Sequence, residues 1–462
     1  MLRYGQLCLV IAASILCGLN AHAKKTPAFV PDELTCGLVD SAYIDTINAT
    51  YGTYVKAWLP NIGSFLLGTM PSQNPESLSA VIALDAKVVY CNANYLLDAP
   101  EPVQGSQPFI DLVGSPDAWL NQPAADNLGL AQAQTVSTGS NVRVGVIDVG
   151  VNQAHPVLQN SVINGKDYVD GDTLALDEPG GSASGHGTFV AGVIALVAPE
   201  AEICAYRVLD TAGTGNGYTI ADAILQAVAD GCKVINLSMV LQSVTHGTVD
   251  LAIEYARDND VLVVAAAGND SMRTDLFPAK DSYTLSVASV DSLNRKSAFS
   301  NYGSKIDVCA PGTNIYAPYL DTTYAYWDGT SFAAPFVAGQ AALLFASRPD
   351  LTWNDIVDAI TLSAINIDSL NPEFSGDLGH GLIAPLAALN QVQLACGDIN
   401  GSGGDPDIGD LTLLIDYLFI SQTPLAHPEL AEFTQDGTVD IGDLTVFIDF
   451  LFISGTSLHC AN

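Results

Sequence analysis

Basic residues are scarce: 16 Lys and Arg stand against 50 Asp and Glu, a formal charge of −34 over 462 residues. A chain this acidic is repelled by nucleic acid and by anionic membrane surfaces, which excludes both as partners. Charge of either sign is thin, at 14%, while apolar residues make up 48%. A large core is therefore within reach, and the length suggests two to four domains. The acidity suits a secreted, calcium-rich or salty setting, and equally a generic solubility surface. Long apolar runs are missing after the first two dozen residues, so no integral membrane segment is expected. The start itself has a short basic end at Arg3, an apolar stretch from Leu7 to Leu19 and the small-residue site Ala21-His22-Ala23. That layout predicts a secretory signal peptide over 1–23, and hence a secreted, periplasmic or cell-surface protein.

Cysteine is sparse as well. Of nine, Cys8 and Cys17 leave with the signal, and an odd seven remain for an oxidising compartment. The expected pairs are Cys36 with Cys91, Cys396 with Cys460, and Cys204 with Cys232, leaving Cys309 as a buried thiol. Cys204 and Cys232 serve equally well as small core residues.

From Val142 onward, β-branched runs (142–147, 203–208, 234–237, 261–266, 284–287) alternate with segments of helical spacing (219–229, 248–258, 333–346). This is the pattern of an α/β fold, a doubly wound parallel sheet with helices on both faces. In such sheets reactive groups gather at the carboxyl ends of the strands. Asp148 ends one run, and His186 lies in Gly185-His186-Gly187-Thr188. Ser331 lies in Gly329-Thr330-Ser331, ahead of an Ala-rich helix whose N-terminus favours negative charge. Asn269, after Ala266-Ala267-Gly268, would add an amide donor. Singly these are ordinary: a strand-end Asp can be structural, and a Ser before a helix can be a plain cap.

Together, Val146-Ile147-Asp148-Val149-Gly150, the segment Gly185 to Gly192 and Gly329-Thr330-Ser331-Phe332-Ala333-Ala334-Pro335 resemble the three signature motifs of the subtilisin family. Val234 to Ser238, Ala266 to Asn269, Phe277-Pro278-Ala279 and Ala310-Pro311-Gly312 support the resemblance. It implies a serine endopeptidase acting on protein or peptide substrates, with no cofactor for the chemistry. Ser331 would be the nucleophile, His186 the general base and acid, and Asp148 its orienting partner. Asn269 and the Ser331 N–H would bind the oxyanion. Substrate would pair as an extended strand with Ser238, Met239 and Val240 on one wall and with the segment around Gly215 on the other. Phe277-Pro278 resembles the family's cis-proline site. Four departures stand out. Val149 replaces a hydroxyl residue, and Phe189 and Phe332 replace a His and a Met. Val240-Leu241 replaces glycines, and no calcium loop interrupts the helix after His186. Val149, Phe189 and the bulky Val240 motivate an alternative, a catalytically weak relative kept as a surface or binding protein.

Residues 24–112 are expected to form a small α+β unit whose run 86–95 resembles the last strand of a subtilisin propeptide, followed by a loop from Pro100 to Pro116. The maturation cut would fall between about Asp98 and Asn121. The peptidase region is assigned to 118–394. Over 396–462 the sequence repeats: Ile408 to Ser421 and Ile441 to Ser454 are identical at 11 of 14 positions. Each copy follows an acidic loop whose oxygen-bearing residues alternate around a glycine turn, as calcium requires. Asp398, Asn400, Ser402 and Gly403 fit the first loop, with Gly404 beside them and Asp410 one position late. Glu432, Thr434, Asp436, Thr438, Asp440 and Asp443 fit the second. The pair resembles a dockerin, a two-helix, EF-hand-like module, which implies a cohesin-like partner. Its alternative is a helix pair with solvated acidic loops.

Overall fold

The computed structural model describes residues 28–240, 247–402 and 405–460. The signal segment 1–23, Leu241, Gly403 and Gly404 lie outside the described residues. The central sheet has seven strands in the spatial order Val308–Pro311, Thr284–Val290, Leu262–Ala266, Cys232–Leu237, Arg143–Asp148, Glu202–Arg207 and Val162–Asp167. Every pairing is parallel. Because strand side chains alternate, one face sends Val144, Val146, Leu262 and Val264 into one core, and the other sends Ile147, Ile235, Val263 and Ala265 into a second. Both faces are covered, which is why these runs are apolar throughout rather than alternating.

The helices His186–Val197 and Thr330–Ser347 pack on the first face. Their small residues allow close approach: a Cβ at Gly339 would come within 2.5 Å of Val197. Thr330–Ser347 is long and apolar enough to cross a membrane, yet it is the buried core helix of this fold. Gly217–Ala229 and Thr248–Asp258 cover the other face. From Arg143–Asp148 the chain winds first to one side of the sheet and later returns to add Cys232–Leu237 on the other. The two carboxyl ends at this reversal, Asp148 and Leu237, flank the crevice where an open α/β sheet binds ligands.

The early unit is an antiparallel sheet in the order Tyr54–Leu59, Ser64–Gly68, Phe29–Leu38 and Val88–Asp98, with the helices Ile44–Tyr51 and Pro75–Ile82 over a small core of Leu34, Ile47, Phe65, Leu67 and Ile82. Its last strand runs to Asp98, beyond the expected 95, because it gains a partner from far along the chain: Leu96, Leu97 and Asp98 pair antiparallel with Asn216, Gly215 and Thr214. The stretch expected as loop also contains structure. Pro100–Gln104 is a short helix, and Phe109–Asp111 pairs with Tyr324–Trp327.

Cys36–Cys91 and Cys396–Cys460 are disulfides. The expected Cys204–Cys232 bond is not formed, and both thiols are buried and free, as is Cys309. Cys204 and Cys232 lie on strands separated by Arg143–Asp148. Their thiols meet over Gly145 as a hydrogen-bonded pair, but the Cα atoms, two strand spacings or about 9–10 Å apart, are too distant for a disulfide. At the C-terminal end the repeated segments form the helices Ile408–Ile415 and Ile441–Asp449, which share a core of Leu411, Leu414, Leu444 and Phe447 with Ile399 and Phe433.

Candidate active site

Asp148, at the end of its strand, is fully buried. Its carboxylate accepts the Val149 N–H at 2.8 Å and faces His186 Nδ1 at 2.8 and 3.0 Å. His186 opens its helix, whose N-terminus is held by a residue the sequence did not single out. Asp177 accepts from Gly185 N (2.8 Å), Thr188 N (3.1 Å) and Thr188 Oγ1 (2.6 Å). Burial pushes Asp177 up to about 7, and the nearby Asp148 charge adds to this, against the hydrogen bonds from Thr188 and Gly185.

The replacements at 189 and 332 belong together. The Phe189 and Phe332 rings meet at 4.4 Å between centroids, both pack on Trp327, and Phe332 and Trp327 also flank the His186 ring. An aromatic wall replaces a polar and a thioether side chain in one step, and it keeps the imidazole in one orientation.

Ser331 is in the first turn of Thr330–Ser347. Four residues on, Pro335 lacks the N–H that would otherwise reach the Ser331 carbonyl. Ser238 Oγ donates to that carbonyl instead, at 2.8 Å, and is itself held by Asn236 Nδ2 at 2.9 Å. Ser238 therefore fixes the backbone under Ser331. Asn269 is anchored through Oδ1, which accepts from Thr330 N (2.9 Å) and Thr330 Oγ1 (2.8 Å). Its Nδ2 is left aimed at the cleft.

All four groups converge on the carboxylate of Glu101. Ser331 Oγ donates to Oε2 at 2.8 Å and His186 Nε2 contacts the same oxygen at 3.1 Å. Asn269 Nδ2 donates to Oε1 at 2.8 Å and the Ser331 N–H points to it at 3.4 Å. Glu101 is fully buried. Burial of the imidazole opposes its charge, but Asp148 and Glu101 on its two nitrogens outweigh that and push His186 up to about 10.

The substrate walls are occupied by the chain itself. Asp98 and Val240 exchange both backbone hydrogen bonds, at 3.0 and 2.9 Å, and the Ala99 N–H reaches Gly213 O at 2.8 Å. Leu97 lies opposite Gly215. Met239 is buried in the core beneath this wall rather than in the cleft. Phe277–Pro278 is cis.

Each C-terminal loop closes on its last acid. Asp410 accepts from Asn400 N (2.8 Å) and Asp407 N (2.9 Å); Asp443 accepts from Phe433 N, Thr434 N and Asp440 N (2.7, 2.9 and 2.8 Å). Asp398, Asp410, Glu432 and Asp443 are buried. Ser402 N donates to Asp398 Oδ1 and Asn400 Oδ1, and Asp436 accepts from Thr438 N and Oγ1. Asp440 caps its helix through Gly442 N. Glu432 Oε1 accepts from Thr434 Oγ1 and Asp436 N, but Oε2 is buried with no hydrogen-bond partner among the described residues. An orphaned carboxylate oxygen in an all-oxygen acidic loop fits a hard cation such as calcium. Among the described residues no three acidic, His or Cys side chains converge as a ready metal cluster. The remaining ligands would come from the other oxygen-bearing side chains of each loop and from backbone carbonyls.

Residues 139–382 match the family model Peptidase_S8, the subtilase family. Thermitase of Thermoactinomyces vulgaris is 41% identical over 223 residues, covering 46% of this chain and 78% of that protein. Subtilisin Savinase of Lederbergia lenta is 36% identical over 266 residues, covering 56% and 93%. Among solved structures, fervidolysin of Fervidobacterium pennivorans, described as a keratinolytic enzyme related to subtilisin, superposes with a TM-score of 0.62 at 25% identity over 78% of this chain and 61% of its own.

Proposed function

The chain belongs to the subtilase family and is a subtilisin-like serine endopeptidase, and from that premise we propose that Ser331, His186, Asp148 and Asn269 carry its reaction. The observation behind this assignment is the meeting of one hydroxyl, one imidazole and two amide donors on a single carboxylate. A carbonyl in that place would have Ser331 Oγ beside its carbon and Asn269 Nδ2 and the Ser331 N–H on its oxygen. His186 takes the Ser331 proton and returns it to the leaving amine, while Asp148 holds the ring and stabilises its charge. The donors act where negative charge develops on the tetrahedral intermediate. Water then attacks the acyl-enzyme, with His186 again as base. The test is peptide hydrolysis by the chain freed of its N-terminal unit. Activity should disappear in Ser331→Ala. Equal activity in that variant, or none in the parent, would sink the assignment and favour a binding-protein role.

Residues 24–112 act as a propeptide that lies in the cleft as a substrate would, a role supported by the pairing of Leu97 with Gly215 and of Asp98 with Val240. The most accessible bond for its removal is in the turn at Leu112 and Val113, which are 80% and 90% exposed. The leader 1–23 directs secretion. The C-terminal unit binds calcium through Asp398, Asn400, Ser402 and Asp410 in one loop and Glu432, Thr434, Asp436, Thr438, Asp440 and Asp443 in the other. It serves as a docking module for a cohesin-like partner.

A further inference from the structure

We propose that Glu101 is a stopper: its side-chain carboxylate, not a peptide bond, fills the reaction centre of the intact chain, so the chain cannot open itself and is matured by a second molecule. The inference rests on Ser331 being the nucleophile. The strand that enters the cleft stays in substrate-like register through Ala99, whose N–H bonds Gly213 O. A substrate would continue extended past Ser331. Here Pro100 begins a helix that ends at Gly105, and the backbone turns away from the nucleophile.

The turn is tied down from outside. Trp327 Nε1 donates to Ser106 Oγ at 3.1 Å, Ser106 Oγ donates to Asp328 O at 3.1 Å, and Gln104 bonds Asp270. Pro100–Gln104 thereby delivers the Glu101 carboxylate to both the oxyanion donors and the Ser331 hydroxyl. The pocket is shaped for it: a Cβ at residue 329 would come within 1.9 Å of Glu101 Oε1, so Gly329 leaves the room that the carboxylate takes.

A carboxylate is inert there. Attack by Ser331 Oγ would have to expel oxide rather than an amine, and its resonance removes the electrophilic carbon that a peptide offers. Buried charge is tolerated only when paired and hydrogen-bonded. Glu101 has that compensation from four donors, so the blocked state is a stable minimum rather than a cleavage intermediate. Relief therefore comes from hydrolysis elsewhere in the propeptide by an open peptidase, water adding across the cut bond and the propeptide leaving with Glu101.

The experiment follows the intact, secreted chain as wild type, Glu101→Ala, Glu101→Gln and Ser331→Ala. It reads adduct formation with a serine-directed fluorophosphonate and the kinetics of spontaneous conversion. Glu101→Ala should label about tenfold faster or more than wild type, the scale of a lost charged hydrogen bond, with Glu101→Gln between them. Wild-type conversion should start when a trace of propeptide-free enzyme is added and should rise with the concentration of that enzyme. Equal labelling of wild type and both Glu101 variants would overturn the stopper. So would wild-type conversion at a rate independent of the added enzyme, a measurement that needs no variant to fold. Wild type stripped of its propeptide by an unrelated metallopeptidase must label. If it does not, the peptidase assignment falls and the stopper falls with it.

Discussion

The peptidase region and the C-terminal repeat solve the problem of burying acids in opposite ways. In the peptidase, Asp148 faces His186, as does Glu101 of the early unit in the intact chain, and Asp177 caps a helix through three donors. Each buried carboxylate finds its partners within the protein. In the repeat, Asp398, Asp410, Glu432 and Asp443 are just as buried, Asp410 and Asp443 accept backbone N–H groups, and one Glu432 oxygen has no hydrogen-bond partner among the described residues. The first arrangement is complete as folded. The second leaves a buried carboxylate oxygen open at Glu432. A large two-sided core carries the one, while the other rests on a few apolar side chains and the Cys396–Cys460 bond.

The largest expected effects test the self-contained half. Ser331→Ala should lower kcat by at least about 10⁴-fold, and Asn269→Ala by about 10²–10³-fold with KM little changed, because that donor acts on the transition state. A drop of similar size in binding alone would show that Asn269 holds substrate rather than the oxyanion.

Chelation separates the halves directly. In the full chain, calcium at a hundredfold excess over Kd should stabilise the repeat by about 3 kcal/mol. Its melting transition should fall on adding EGTA while the peptidase transition stays in place. Identical shifts in both transitions would erase the contrast.

A smaller effect concerns pH. The His186 imidazolium faces Asp148 and Glu101, with Asp177 behind them at the helix start, and its folded pKa is raised to about 10 from 6.5. The stability this contributes to the intact chain is fully present below about pH 6.5 and is lost as pH rises through about 10. Thermal melts of the intact chain should show that decline, and Glu101→Gln should shrink it. A flat profile in this window would contradict the ion-paired imidazole. The smallest effect is resistance to oxidation. With Phe332 beside the nucleophile and Met239 buried, peroxide should leave the matured activity nearly unchanged, and Phe332→Met should make it sensitive.

What the sequence revealed follows the range of the interactions involved. Asp148, His186, Ser331 and Asn269 announce themselves through local glycines and strand or helix ends, so their neighbourhood is legible residue by residue. The duplicated helices are legible for the same reason. Thr248–Asp258 coincides with its expected bounds. Glu101 was not legible. It lies in a stretch rich in Pro, Gln and Ser, and its role depends on Pro100 starting a helix against Asp270 and Asp328, more than a hundred residues away. Asp177 was hidden likewise, since its capped helix begins nine residues later, at His186, with no motif between. The Cys204–Cys232 expectation failed because sequence spacing does not reveal that a third strand separates them.

The account depends above all on Ser331 becoming an acylatable nucleophile once the cleft is open. Mass mapping of the matured chain after fluorophosphonate treatment tests this most directly. The predicted result is one adduct per molecule, located on Ser331 and lost in His186→Ala; an adduct on another serine, or none at all, would contradict it.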